Sequence, residues 1–414
     1  MKVFHTADLH IGLETHGPTN PHTGLPRRLE DFLASLDHIV ETAIEERADL
    51  VIMAGDIYKG RDPTPTHQRE FARRVLRLSQ RGIPVFLLAG NHDLPNTVSR
   101  ATSIEIFAEL EIESVTVARR SGLFRVQTPS GPVLIAAHPW MTRSSLLALD
   151  EYRAMSATEL ERSMAEIIAN AIAELAQETE EARGEPGLEQ APAILAAHLH
   201  AKEARDGAER SLTVGTDPLI PVNRIAIAPF DYVALGHIHA HQALAVRPPT
   251  IYPGSIERVN FGEEREKKGF VVAEVARGTC EWDFREFAGV RRFVTIDVKA
   301  QTDDPTETTL RQIERRRAEI PDAVVRVRVQ MSLQNQALFD ESRVRHALAD
   351  AFWVWEIYRD VERPARMRFA GLSVEEKTPM ELLDDYFSER QVPADERERL
   401  RAYASRLMSS GAAP

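Results

Sequence analysis

The 414-residue chain has a single cysteine, Cys280, so it can form no internal disulfide and has no covalent need for an oxidising compartment. It also lacks any apolar run approaching the ~18–20 residues that a membrane span requires. The opening Met1-Lys2-Val3-Phe4-His5 interrupts its apolar run too early for a secretory signal, and a cytoplasmic location without a membrane anchor is expected. Excess positive charge is missing too: 51 Lys and Arg face 63 Asp and Glu, a formal net charge of −12. A chain gripping DNA alone over a broad surface would normally be basic, since phosphate neutralisation supplies most of that affinity. Phosphodiester chemistry stays open, because metal ions, a local basic rim or a partner can supply the charge. Internal repeats and low-complexity tracts are absent. What is present is ordinary globular composition, 43% hydrophobic and 28% charged, at a length that suggests two or three domains.

Short apolar runs alternate with helical patterns in the first half. Lys2–Ala7, Leu50–Ala54 and Pro84–Ala89 read as buried strands, with amphipathic helices over Arg27–Arg47 and Thr66–Arg81 between them. Further strands are expected over Leu123–Gln127, Val133–Ala137, Ala193–Ala197, Tyr232–Leu235 and Gly269–Val275, with a long helix over Thr158–Arg183. This order predicts βαβ units around mixed sheets with helices outside. After Phe287 the texture changes: two half-exposed strands (Arg292–Val298, Val324–Gln330) and two helices (Thr306–Arg317, Glu341–Ala351) predict a small α+β domain. Two helices, Met380–Glu389 and Ala394–Met408, close the chain without a strand partner. The expected domains are therefore 1–287, 288–374 and 375–414.

Five motifs lie at predicted strand ends: Asp8-Leu9-His10, Gly55-Asp56, Gly90-Asn91-His92-Asp93, His198-Leu199-His200 and Gly236-His237-Ile238-His239. Ligands of open α/β sheets bind beyond the carboxyl ends of the strands, so these loops can converge though distant in sequence. Asp, Asn and His without thiolate suit divalent cations such as manganese, iron or zinc at a hydrolytic centre. A carboxylate such as Asp56 can bridge two ions, and ions ~3.5–4 Å apart clamp the attacking and leaving oxygens of an in-line displacement. His92 is placed to protonate a leaving oxygen. Any one of these motifs occurs commonly without metal. Turn chemistry alone, however, gives no reason to gather all five at successive strand ends.

Together these motifs resemble the calcineurin-like metallophosphoesterase superfamily and, within it, the SbcD family of DNA repair exonucleases. Thr6-Ala7-Asp8-Leu9-His10-Ile11-Gly12 is similar to that family's opening. Tyr252-Pro253-Gly254-Ser255…Arg258…Phe261-Gly262-Glu263, followed by Lys268-Gly269, is similar to a further signature. The resemblance covers residues 1–287 and implies a β-sandwich flanked by helices, a capping domain governing DNA access, and a helical hairpin. It implies one ion on Asp8, His10, Asp56 and His239 and another on Asp56, Asn91, His198 and His237. Manganese would be preferred, with magnesium, iron(II) or zinc as alternatives. His92 would be the catalytic histidine and Asp93 its orienting carboxylate. DNA, a coiled-coil ATPase like SbcC docked on the C-terminal helices, and a second copy of the chain are the implied partners. A phosphoesterase acting on small phosphodiesters or other non-DNA phosphoesters is the alternative.

One position departs from the pattern: archaeal and eukaryal relatives carry a histidine three residues after the bridging aspartate, where this chain has Lys59. Lysine can contact phosphate as a point charge but cannot shuttle protons near neutral pH as imidazole does. His67 is expected to be solvated, His5 and His138 to be structural, and His200 and His241 to point away. Arg61, Arg258, Arg265, Lys267 and Lys268 are candidates for DNA contact, diluted by Glu263, Glu264 and Glu266.

Overall fold

The structure is a computed structural model and describes all residues except 96–99, 148–151, 153–154, 206–216, 363–377, 390–391 and 410–414. It divides into two compact units, Met1–Asp360 and Val361–Pro414. The domain boundary expected at 374/375 lies outside the described residues.

Two six-stranded sheets make up most of the first unit. From edge to edge one runs Thr279–Glu286, Gly269–Ala276, Lys2–Thr6, Leu50–Met53, Val85–Leu88, Val115–Ala118. The other runs Gln242–Val246, Pro249–Tyr252, Tyr232–Gly236, Ala193–His198, Gly131–His138, Gly122–Thr128. Four neighbouring strands in the first sheet, from Lys2–Thr6 to Val115–Ala118, are mutually parallel, and so are the four central strands of the second. Antiparallel strands close the edges, except at Val115–Ala118.

Three apolar clusters explain the layering. Alternate residues of each central strand (Val3, Leu50, Ile52, Phe86 in one sheet; Ile135, Ile194, Tyr232, Ile251 in the other) meet in a shared core. The opposite face of the first sheet (Phe4, Val51, Met53, Leu87) receives Leu29, Phe32 and Leu36 of helix Arg27–Glu45, with Phe71 and Val75 of helix Pro65–Ser79. The outer face of the second (Leu134, Leu195, Val233) receives Ile168, Ile172 and Leu175 of helix Ala157–Ala182. Both faces of each sheet are thus covered, which is why their central strands read as continuous apolar runs rather than alternating ones. The result is a helix–sheet–sheet–helix sandwich.

A three-stranded sheet follows in the order Phe293–Lys299, Val324–Ser332, Trp353–Glu362, with helices Pro305–Arg315 and Glu341–Ala347. It meets the sandwich through Phe261, Phe293, Val324 and Phe352, and through Arg291, whose guanidinium lies 2.6 Å from Asp31. In the second unit, helices Pro379–Glu389 and Ala394–Ser409 lie together, with Arg401 3.2 Å from Asp384.

Strands Val115–Ala118, Gln242–Val246, Pro249–Tyr252 and Trp353–Glu362 were not expected. Val115–Ala118 and Gln242–Val246 are short edge strands with few fully buried positions. Pro249–Tyr252 is only four residues long and begins with proline, and Trp353–Glu362 is mostly exposed.

Candidate metal centre

The parallel strands of both sheets deliver their carboxyl ends to one rim. Hydrogen bonds across the loops lock them together: Asp8 N to Gly55 O (3.0 Å), His10 N to Asp56 O (3.0 Å) and His237 N to Asp8 Oδ1 (3.1 Å). Asp8, His10, Asp56 and His237 sit at φ 51°, 44°, 52° and 106°, a region that non-glycine residues seldom occupy. Strain of this kind persists where the surroundings over-determine the backbone, and it gathers at functional sites. Glycine is required alongside. A Cβ on Gly55 (φ 98°) would stand 2.1 Å from His198 Nδ1, and one on Gly90 2.2 Å from Asp56.

All seven expected ligands and His92 come together here. Asp8, His10, Asp56, His198, His237 and His239 are buried, while Asn91 and His92 are half-buried, the His92 side chain 35% exposed. The rings are oriented by partners behind them. His198 Nδ1 donates to the Ala54 carbonyl (2.8 Å), His239 Nδ1 to Glu263 (2.8 Å), His237 Nε2 to Asp217 (3.2 Å) and His92 Nδ1 to the Lys59 carbonyl (2.9 Å). A neutral imidazole has one N–H and one lone pair, so each forward nitrogen is left as an acceptor.

Those acceptors face other acceptors. His198 Nε2 lies 3.0 Å and His237 Nδ1 3.2 Å from Asn91 Oδ1, with an Asp56 oxygen 3.6 Å from His198. His10 and His239 bring their Nε2 atoms to 2.9 Å, and His10 Nδ1 is buried without a partner. A proton on His10 Nε2 can serve His239 but leaves the buried Nδ1 bare, and no proton is available between Asn91 Oδ1 and the nitrogens of His198 and His237; a divalent cation suits these gaps. Ligand atoms of Asp8, His10 and His239, and of Asp8, Asp56 and His198, lie within 4.8 Å of one another. The donor set therefore fits metal.

Charge is arranged to match. Burial drives His10 well below its usual range and His198 down to about 4, keeping both rings neutral as ligands must be. Burial also acts to raise Asp56, but the surrounding His92 and His198 outweigh it and hold that carboxyl low. His92 is lowered, again by burial, with Asp56 opposing.

Several expectations change. Asp93 does not orient His92: its buried carboxylate accepts from Gly90 N (2.9 Å), Tyr58 N (3.1 Å) and Ile57 N (3.2 Å), bracing two ligand loops. His67 is buried, not solvated; it completes a capping box with Thr64 and bonds Glu14 at 2.8 Å. His200 does not point away but shares Asp217 with His237. Arg258 and Lys268 are spent internally. Lys268 is 1% exposed and 2.8 Å from Glu263, and Arg258 donates to the carbonyls of Glu263, Glu266 and Arg291. Sequence reasoning missed Asp217, Glu263 and Trp140 as parts of the site. Only Glu263 had a signal, within the Phe261-Gly262-Glu263 stretch.

Residues 1–241 match the calcineurin-like phosphoesterase family, and the chain belongs to that family. It is 26% identical over 282 residues to the SbcD component of the SbcCD nuclease of Escherichia coli, a match spanning 68% of this chain but 66% of that protein. It is also 26% identical to the uncharacterized metallophosphoesterase YhaO of Bacillus subtilis, over 68% of this chain and 59% of that one. The DNA double-strand break repair protein Mre11 of Archaeoglobus fulgidus is 34% identical over 125 residues, 30% of this chain and 25% of that protein. The chain is thus a calcineurin-like phosphoesterase with SbcD and Mre11 among its relatives, and it spans less than two thirds of the length of each of these three relatives. Among the described residues no helix is long and apolar enough to cross a membrane.

Proposed function

We propose that the chain is a DNA nuclease that needs two divalent cations, manganese by preference, and works in DNA repair beside a coiled-coil ATPase. The observation carrying this reading is the convergence of eight side chains on one rim, with acceptor nitrogens facing an acceptor oxygen, in a chain similar to a nuclease subunit and to a DNA double-strand break repair protein.

Asp8, His10, Asp56 and His239 would hold one cation, and Asp56, Asn91, His198 and His237 the other. Bound there, the pair would supply a nucleophilic water near neutral pH and offset charge on the phosphate oxygens. The chain's own residues do the rest. His92, fixed through Nδ1 by the Lys59 carbonyl, holds Nε2 3.9 Å from an Asp56 oxygen; in its protonated form, which Asp56 favours against burial, that nitrogen can give a proton to the leaving oxygen. Lys59, whose ammonium pKa burial lowers, presents a positive charge to a non-bridging oxygen. In this reading the three-stranded sheet governs DNA access, two chains pair, and the work is cytoplasmic. Helices Pro379–Glu389 and Ala394–Ser409 dock on the ATPase through a stripe containing Tyr386, Leu400 and Tyr403, which are 44%, 40% and 61% exposed.

The test is cleavage of end-labelled linear duplex and circular single-stranded DNA with manganese, with magnesium and with chelator, beside His92→Ala. Manganese-dependent cleavage that falls by about 10²–10⁴ in His92→Ala, with metal content unchanged, is the expected result. Hydrolysis of a small phosphodiester dye without cleavage of either DNA would overturn it.

A further inference from the structure

The one-turn helix Phe261–Glu263, followed by Glu264, sends neighbouring side chains to two parts of the molecule, and Asn260 fixes its start by accepting from Gly262 N at 2.7 Å. Glu263 serves the metal centre. Its carboxylate exposes no surface; Oε1 accepts from His239 Nδ1 (2.8 Å), while Oε2 is held by Lys268 (2.8 Å) and by Val259 N (2.9 Å). Phe261 and Glu264 serve the three-stranded sheet. The Phe261 ring meets Phe293 edge-on at 4.9 Å and lies under the Arg326 guanidinium at 4.3 Å. Glu264 Oε1 accepts from Thr295 N, 3.1 Å away.

Thr295 belongs to strand Phe293–Lys299, an edge of its sheet, where every second N–H turns away from the neighbouring strand and needs another acceptor. Glu264 is that acceptor. Arg258 also clamps this stretch, donating to the carbonyls of Glu263 (3.2 Å) and Glu266 (3.0 Å) and to that of Arg291 (3.0 Å), just ahead of the strand. Glu263 and Glu264 share one planar peptide unit. With both carboxylates engaged, a shift of the strand reaches the His239 ring through very few free torsions.

We infer that Glu264 is a positioning residue for the metal centre: by tying the three-stranded sheet to the turn that carries Glu263, it holds the His239 ring where a cation binds. The inference rests on the reading of His239 as a metal ligand. It adds that the cation on that side of the site depends on how the sheet is seated. Linkage makes the dependence reciprocal, so a bound cation steadies the strand in turn.

Calorimetric titration of the full chain with manganese(II), and hydrogen exchange of the same chain with and without manganese, test it. Glu264→Ala is expected to weaken one of the two manganese-binding steps about tenfold, the low end for groups that orient a ligating histidine, and to leave the other step unchanged. Glu264→Gln keeps an acceptor for Thr295 N and should restore most of the loss. Phe261→Leu, which loosens the turn's other tie to the sheet, should weaken the same step. Manganese should also slow exchange over Phe293–Lys299 in the unaltered chain and in Glu264→Gln, but not in Glu264→Ala. Equal weakening of both steps, or exchange over the strand that ignores manganese in every form, overturns the inference and leaves Glu264 as a tie within the sheet's seat. Two tightly held ions that Glu264→Ala leaves undisturbed sink it while sparing the metal assignment. A chain that takes up no manganese at all sinks the assignment first, and the inference with it.

Discussion

His5 and His10 lie five residues apart, one inside the sandwich and one on its rim, and neither exposes any surface. His5 is fully served: Nδ1 meets the Tyr232 hydroxyl at 2.8 Å and Nε2 the Leu235 carbonyl at 3.2 Å. His10 has a buried Nδ1 with no partner and an Nε2 that meets only the ring nitrogen of another histidine, His239. Burial alone therefore does not mark a functional histidine. What separates the two is whether the protein completes the hydrogen bonding or leaves a gap that only a cation fills.

The contrast can be broken most severely at Asp56, which touches both halves of the rim cluster. Asp56→Asn keeps the shape and removes the charge that two cations would share under the proposed assignment. Metal content after gel filtration should fall from two ions per chain to one or none, and full occupancy in the variant would contradict the assignment. A milder break comes from behind the rings. Glu263→Gln and Asp217→Asn should each weaken manganese binding about 10–100-fold, the usual effect of losing a carboxylate that orients a ligating histidine. Metal titration reads this directly, and unchanged affinity in both variants would show that His237 and His239 need no such support.

The smallest effect sharpens the interior side. Burial lowers His5 from 6.5 to about 3, so the unfolded chain binds the extra proton first. Stability from the neutral ring is complete above about pH 6.5 and is lost as the pH falls from there toward 3, by up to about 1.4 kcal/mol per pH unit. In His5→Phe the stability measured by urea unfolding should fall less steeply over that window than in the wild type. Parallel slopes would mean that the ring is charged in the folded state as well.

The sandwich was legible because its central strands are covered on both faces and so stand out as unbroken apolar runs. The eight rim residues were legible because each follows such a run directly. What surrounds them was not. Asp217 lies beyond the two-residue strand Leu219–Ile220 from any recognisable run, and nothing local shows that it meets His237. Glu263 and Lys268 look like ordinary solvated charges in a charged stretch, yet they form an ion pair with 0% and 1% exposure beneath His239. Asp93 misled for the opposite reason. Sequence adjacency placed it with His92, but a buried carboxylate is claimed by the nearest unpaired backbone N–H groups, here those of Ile57, Tyr58 and Gly90.

The two large sheets share no strand. Asp8, His10, Asp56 and Asn91 follow strands of one, and His198, His237 and His239 follow strands of the other. Cations bound across this seam would act as rivets between separately hydrogen-bonded layers. Loading the protein with metal should then resist the parting of the layers, and a chain stripped of metal would open first along the seam that the histidine cluster spans.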